Sequence, residues 1–216
     1  MASPREISCT NLTGKFSMNK SLGDDLDAML ALQGISWFLR KIIGATTPAI
    51  TVKEYKDDQG KWHIDILSVA SGLSSQQENR TLDWTERDHK DRIFGNMRGK
   101  SRMFKTGDFQ MEGPGGEDDA AFLRAERLKD GSPSKFVDDE HVQSWVVNQD
   151  AGYGWTAEQV WGFEEIDGKR YHTRRVVARK DDKVERLRLV YNYTGPVDGK
   201  AEADADEDDG LAYGES

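Results

Sequence analysis

The stretch DAMLALQGISWFLRKIIGATTPAITV, residues 27–52, decides the fold. It is densely apolar with helical spacing, carries a glycine at its centre and ends in a strand-like run. Leu26, Met29 and Leu30 fall on one helical stripe, and Ile35, Phe38, Leu39 and Ile42 fall on a second, with Gly34 between them. Ser21 offers an N-cap, and Asp24, Asp25 and Asp27 occupy a first turn, where the helix dipole favours negative charge. Arg40 and Lys41 sit near the other end, and Gly44 supplies a stop. The reading is two short helices. Neither reaches the roughly 12–15 residues an isolated helix needs in water, so both must dock on another element.

On both sides the chain alternates with period two. The run LTGKFSMNKS precedes the helices; AITVKEYK, KWHIDILSVAS and QENRTLDW follow them, with DDQG as the first turn. Residues 87–105, RDHKDRIFGNMRGKSRMFK, read as one long strand. Lys90, Arg92, Asn96, Arg98, Lys100 and Arg102 share a wet parity, interrupted by Phe94; His89, Asp91, Ile93, Gly95, Met97, Gly99, Ser101 and Met103 share the inner one. Residues 106–119 form a polar glycine-rich loop in which GPGG is not followed by an apolar helix, and AAFLRAERL resumes as a strand or short helix. After a second loop come HVQSWVVNQD, GWTAEQVWGFEEI, KRYHTRRVVARK and KVERLRLVYNYTG. The turns IDGK and KDDK join the last three of these runs.

About nine or ten antiparallel strands would expose edges unless the sheet closed on itself. The fold class expected is therefore mainly β: an up-and-down antiparallel barrel with a helix–turn–helix lid after the first strand. A sandwich is the alternative, but it usually needs longer crossovers. The organisation expected is an N-terminal arm at 1–10, a barrel domain at 11–195 with its lid at 22–44, and an acidic disordered tail at 196–216.

Leu30, Gly34, Ile35, Arg40, Lys41 and Pro48 stand in an order and spacing that resembles the helix–turn–helix of intracellular fatty-acid-binding proteins, a calycin/lipocalin-like barrel family. LTGKFSMNKS is similar to that family's first strand, with Phe16 where tryptophan is usual. Good resemblance covers about residues 11–70. It implies a ten-stranded clam-shaped barrel, a hydrophobic or amphipathic ligand in a partly hydrated cavity, and helices forming the portal. This chain departs from the family in length, with insertions at 106–119 and 129–140. The family's last strand often carries Arg-x-Tyr, which holds a ligand carboxylate. Here Arg188 and Tyr191 are three apart and point to opposite faces of a regular strand.

Composition narrows the function classes. Net charge is −9, but residues 197–216 carry eight acids and one lysine, which leaves the body near −2. A near-neutral body does not fit a nucleic-acid binder. Mean hydropathy is −0.76, and no run approaches the roughly 18 uncharged apolar residues of a spanning helix. No secretory h-region is read at the N-terminus. The single cysteine, Cys9, fits a reducing compartment, so the expected location is cytoplasmic. The one membrane contact expected is a transient one through the lid.

No P-loop, dinucleotide fingerprint or CxxC occurs, and His63, His89, His141 and His172 lack zinc spacing, so no cofactor or metal is expected. The partner expected is a hydrophobic small molecule, fatty-acid-, polyketide- or terpenoid-like. Met29, Phe38, Trp62, Ile93, Met97, Trp161, Arg188 and Tyr191 are the candidate ligand-binding residues. His89 and Asp91 share the inner parity two apart, where Asp91 could orient the imidazole as a general base. Arg174, Arg186 and Arg188 need anionic partners if they are buried; Leu187, Leu189, Tyr191 and Tyr193 make the better core face of the last strand. Two functions fit: a carrier with a cavity of about 300–1,000 Å3, and a cofactor-free isomerase or cyclase in the same cavity. A scaffold for protein contacts is a third.

Overall fold

The computed structural model describes residues 1–70 and 75–197. The tail expectation at 196–216 lies, from residue 198 on, outside the described residues. The elements, in chain order, are β1 (Gly14–Met18), α1 (Asp27–Leu32), α2 (Trp37–Ala45), β2 (Ala49–Lys56), β3 (Trp62–Val69), β4 (Gln76–Thr81), β5 (Arg87–Asp91), β6 (Gly95–Lys105), α3 (Glu117–Leu123), β7 (Glu140–Asn148), β8 (Thr156–Ile166), β9 (Lys169–Lys180) and β10 (Lys183–Gly195). All strands join one antiparallel sheet in the order β4-β3-β2-β1-β10-β9-β8-β7-β6-β5. The ribbon curls into a nearly closed barrel, with β4 and β5 at its two edges. Trp84 N donates to Ser101 O at 2.9 Å, so the chain after β4 reaches across to β6. This is the barrel with a helical lid that the alternation and the fatty-acid-binding-protein resemblance imply.

The interior is layered, and Trp155 with the strand β8 that follows it reads out the layers: Trp155 and Ala157 at the lid end, Gln159 at mid-height, Trp161 and Phe163 toward the base. The base is filled by Phe16, Val52, Ile64, Ile66, Val142, Trp161, Phe163 and Tyr191, and the N-terminal arm adds Ile7, Cys9 and Leu12. The arm is thus a plug. Tyr193 N donates to Met1 O, and Arg170 Nη1 donates to Pro4 O and Ile7 O. At the lid end, Met29 and Leu32 of α1 pack on Trp155, Ala157, Val176, Ala178 and Leu187.

Four local expectations are corrected. Ser21 caps nothing: its N–H and that of Leu22 bond Asn19 Oδ1, and the first helix starts at Asp27 beneath the Asp25 carboxylate. Gly44 lies inside α2, not at its end. The break between helices is Gly34, at φ +83°, where a Cβ would come within 2.5 Å of the Tyr153 ring. Residues 87–105 are a hairpin. Asp91 pairs with Gly95 and His89 with Met97, so the chain folds back without exchanging its two faces. The inner parity therefore survives a turn that period-two counting cannot see.

The fourth correction concerns the insertion. GPGG is followed by a helix, α3, in which Asp119 and Ala120–Leu123 are buried. It packs on the outside of the barrel, where Phe122 and Leu123 meet Phe104, Val160 and Val177. Phe136 seats over Gly162, where any Cβ would fall 2.4 Å from its ring. Carboxylates fasten this cover. Asp119 takes Arg179 and Arg186, Glu164 takes Arg175 and Arg188, and Glu158 accepts the N–H groups of Glu112 and Gly113. The wall of β8 and β9 is consequently buried on both sides, which is why these strands read with few exposed polar positions.

Candidate functional site

A cavity of about 180 Å3 lies under the lid, beside the gap between β4 and β5. Phe94, Met97, Val146, Trp155 and Ala157 give it apolar walls, and Gln33 closes it from the end of α1. Its floor is polar, built from Glu78, Arg80, Ser101 and Gln159, and Arg87, His89 and Asp91 stand at the mouth. The volume is below the range expected for a carrier because the arm and the Trp161–Phe163 layer fill the base.

Arg80 is fixed in place. Its Nη1 donates to Ser144 Oγ at 2.7 Å and to Ser101 Oγ at 3.2 Å; Nε and Nη2 both reach Glu78 Oε2, at 3.2 and 2.6 Å. A guanidinium has five N–H donors, and four are occupied. Burial opposes ionisation of Glu78, but the charges of Arg80 and Arg174 outweigh it and hold its carboxyl below the ordinary value. Glu78 is thus an anion that orients Arg80, not a proton donor. Ser101 and Ser144 come from β6 and β7, so the guanidinium also ties the two sides of the gap together.

Below the floor sits Trp161, fully buried, its indole N–H donating to Gln159 Oε1 at 3.1 Å. Two guanidinium groups lie over its ring, Arg174 at 3.9 Å and Arg80 at 5.4 Å. Arg174 also approaches the Tyr191 ring at 5.0 Å and donates from Nε to His172 Nε2 at 3.4 Å. His172 is completely buried among Phe16, Trp161, Phe163 and Tyr191. Burial, then the charge of Arg174, pushes its pKa well below the ordinary value, so it stays neutral and accepts.

The candidate residues separate accordingly. His89, Asp91 and Met97 line the cavity. His89 is exposed. Asp91 is spent on the hairpin turn, its Oδ1 accepting from Ile93 N at 2.7 Å and Phe94 N at 2.8 Å. Ile93 belongs to that turn, and its neighbour Phe94 faces the cavity instead. Met29 and Trp161 lie in the packed layers above and below the cavity. Tyr191 faces inward at the base, beneath Arg174. Trp62 stands at a strand end under Lys56 Nζ, 4.6 Å from its ring. Phe38 is 69% exposed on the outer side of the lid, because α2 overhangs the barrel and buries none of its residues. Arg188 points out of the barrel, with Nη1 3.5 Å from Glu164 and Nη2 donating to Leu22 O.

Counting from sequence missed Glu78, Arg80 and Gln159. β4 is polar at both parities, so nothing in it marks an inner face. Its one usable signal is the lack of any apolar residue from Gln76 to Thr81, which suits a strand bordering a hydrated interior.

No family model matches the sequence. Two curated proteins align along nearly the whole chain. The pericyclase pydY of Acremonium sp is 31% identical over 201 residues, covering 92% of this chain and 100% of its own. The probable pericyclase scpY of Mollisia scopiformis is 29% identical over 201 residues, covering 92% and 98%. Among solved structures, a Schistosoma mansoni fatty-acid-binding protein in complex with arachidonic acid aligns over 84% of this chain and 95% of its own, at 16% identity and a TM-score of 0.48. Human cRBP IV aligns over 85% and 98%, at 13% identity and a TM-score of 0.46.

Proposed function

We propose, for a chain that belongs to the family of the pericyclase pydY, that the barrel is a cofactor-free catalyst. It would isomerise or cyclise a hydrophobic, polyketide- or terpenoid-like substrate by a pericyclic reaction. Such a reaction moves bonding electrons round a closed ring of atoms. It transfers no atom to or from the protein, and its product is an isomer of its substrate. The chain therefore has two tasks: to hold one folded conformer, and to stabilise whatever charge separates in the transition state.

The observation that carries this reading is the meeting of apolar walls with a fixed guanidinium. Met97, Trp155 and Phe94 give a flexible hydrocarbon a surface to fold against, which removes entropy before the chemistry begins. Arg80, immobilised by Glu78, Ser101 and Ser144, presents a positive group at the floor of the cavity. A carbonyl polarising in the transition state would meet this charge with no cost of reorganisation. The carrier reading has the same cavity but gives no reason for a guanidinium held from three sides, and the small volume does not suit a long acyl chain.

The test is chemical. A host strain lacking this chain should accumulate a compound that the purified protein converts, without additives, into another of identical mass and different chromatographic retention. Arg80→Met should lower kcat about 100-fold, the usual loss for one preorganised donor, with a much smaller effect on KM. Purified wild type that leaves the mutant-strain extract unchanged would refute the catalytic reading.

A further inference from the structure

The charges of the barrel wall and those of its interior are balanced differently. On the outer face the arginines of the β8–β10 wall have carboxylates, Arg175 and Arg188 with Glu164 and Arg179 and Arg186 with Asp119, and at the base Arg170, over the Phe163 ring, has Asp138. At mid-height inside, the described residues supply two guanidinium groups, Arg80 and Arg174, and one carboxylate, Glu78, which bonds Arg80. Arg174 is 7% exposed and has no carboxylate within ion-pair distance among the described residues. Its Nη2 is buried with no hydrogen-bond partner. Trp155, which lines the cavity, likewise keeps its indole N–H buried and unpartnered. Both orphans are donors. Neutral His172 adds no charge to the count.

We infer that the substrate enters as a monoanion, a carboxylate or enolate oxygen head, and that Arg174 is the residue that receives it. This deepens, and rests on, the catalytic reading above. A buried guanidinium without a counter-ion is costly, and an anionic oxygen is the chemistry that relieves it. Arg174 lies just beneath the lining of the cavity: it and Arg80 both lie over the Trp161 ring, and Glu78, which borders the cavity, is within the electrostatic reach of both. Glu78 already bonds Arg80, and Arg174 is the guanidinium left without a carboxylate among the described residues. This is not the Arg-x-Tyr clamp implied by the fatty-acid-binding-protein resemblance, because Arg188 lies outside the barrel. The hydrocarbon part of the substrate then extends upward between Met97 and Trp155.

Matched probes test the inference on the full-length protein by calorimetric titration. One pair is dimedone, ionised to its enolate, and its neutral methyl enol ether. The other is sorbate and neutral sorbamide. An anion should bind wild type about tenfold or more tightly than its neutral twin, the size of a charge-assisted hydrogen bond. A preference in the first pair assigns an enolate head, and one in the second assigns a carboxylate. Arg174→Met should erase the preference while still binding the neutral twin, and Arg174→Lys, which keeps the charge, should retain part of it. Equal binding of both twins in both pairs overturns the inference in wild type alone, and so does a preference that survives in R174M. The extract conversion assay is independent. Conversion with no anion preference removes only the monoanion, whereas anion preference with no conversion removes the catalytic reading.

Discussion

Replacing Glu164 by glutamine should loosen the outer cover of the barrel severely, although Glu164 touches no cavity atom. Its side chain is 3% exposed, and that of Arg175 is 0% exposed. Arg175 Nε donates to Glu164 Oε1 at 2.8 Å and Nη2 to Oε2 at 2.7 Å, while Thr173 Oγ1 shares Oε1 at 2.8 Å. Arg175 also donates to Arg127 O and Ser134 Oγ, which hold the insertion against β9. Glutamine preserves shape but turns an amide NH2 toward a guanidinium donor and leaves a fully buried cation without its counter-charge. Breaking a buried pair from one side costs about 3–5 kcal/mol. At about 2–4 °C per kcal/mol for a domain of this size, Tm should fall by about 6–20 °C. Thermal and urea unfolding followed by circular dichroism would measure it. Glu165→Gln, one residue along and exposed, is the control and should stay within about 0.5 kcal/mol. The reasoning would be refuted if E164Q lost less than about 1 kcal/mol, or no more than the control. In a double-mutant cycle, adding Arg175→Met should recover part of the loss, since it removes the stranded charge.

Other outcomes follow from the same physics. Burial raises the Glu54 pKa to about 7, above its ordinary value near 4.5. A carboxyl raised in the folded state favours folding at low pH. That contribution is full below about pH 4.5, declines as pH rises and is gone above about pH 7. The shift amounts to about 3 kcal/mol, and Glu54→Gln should flatten that slope in stability-versus-pH titrations and leave the variant more stable than wild type at pH 8. Gly34→Ala should destabilise the lid by about 1–3 kcal/mol through its positive φ and the Tyr153 contact, and increase amide exchange in α1 and α2; Tyr153→Ala should relieve only the contact part. Asp91→Ala should cost about 1 kcal/mol by releasing the Ile93 and Phe94 amides, whereas His89→Ala should leave unfolding unchanged within about 0.5 kcal/mol. If His89 is a general base, H89A instead lowers turnover of the host compound.

The local pattern alone determined much of this protein. Alternation from Ala49 onward and the turns at Asp57–Gly60 and Asp167–Gly168 specify an antiparallel meander, because side-chain parity and turn chemistry are properties of neighbours in the chain. The split of residues 27–45 at Gly34 was equally local. So was the face of the last strand: Leu187, Leu189 and Tyr191 point inward and Arg186 and Arg188 outward, as their alternation indicates. Tertiary structure decided what alternation cannot encode. Only the curl of the sheet brings Arg80 of β4 to Ser144 of β7, 64 residues away, and only docking of the insertion turns Asp119 from an apparent surface acid into a buried anchor. The placement of Arg174 was decided the same way. Its strand, buried on both faces, reads apolar or basic at nearly every position, so its inner and outer arginines differ only in which carboxylates the completed barrel brings near them.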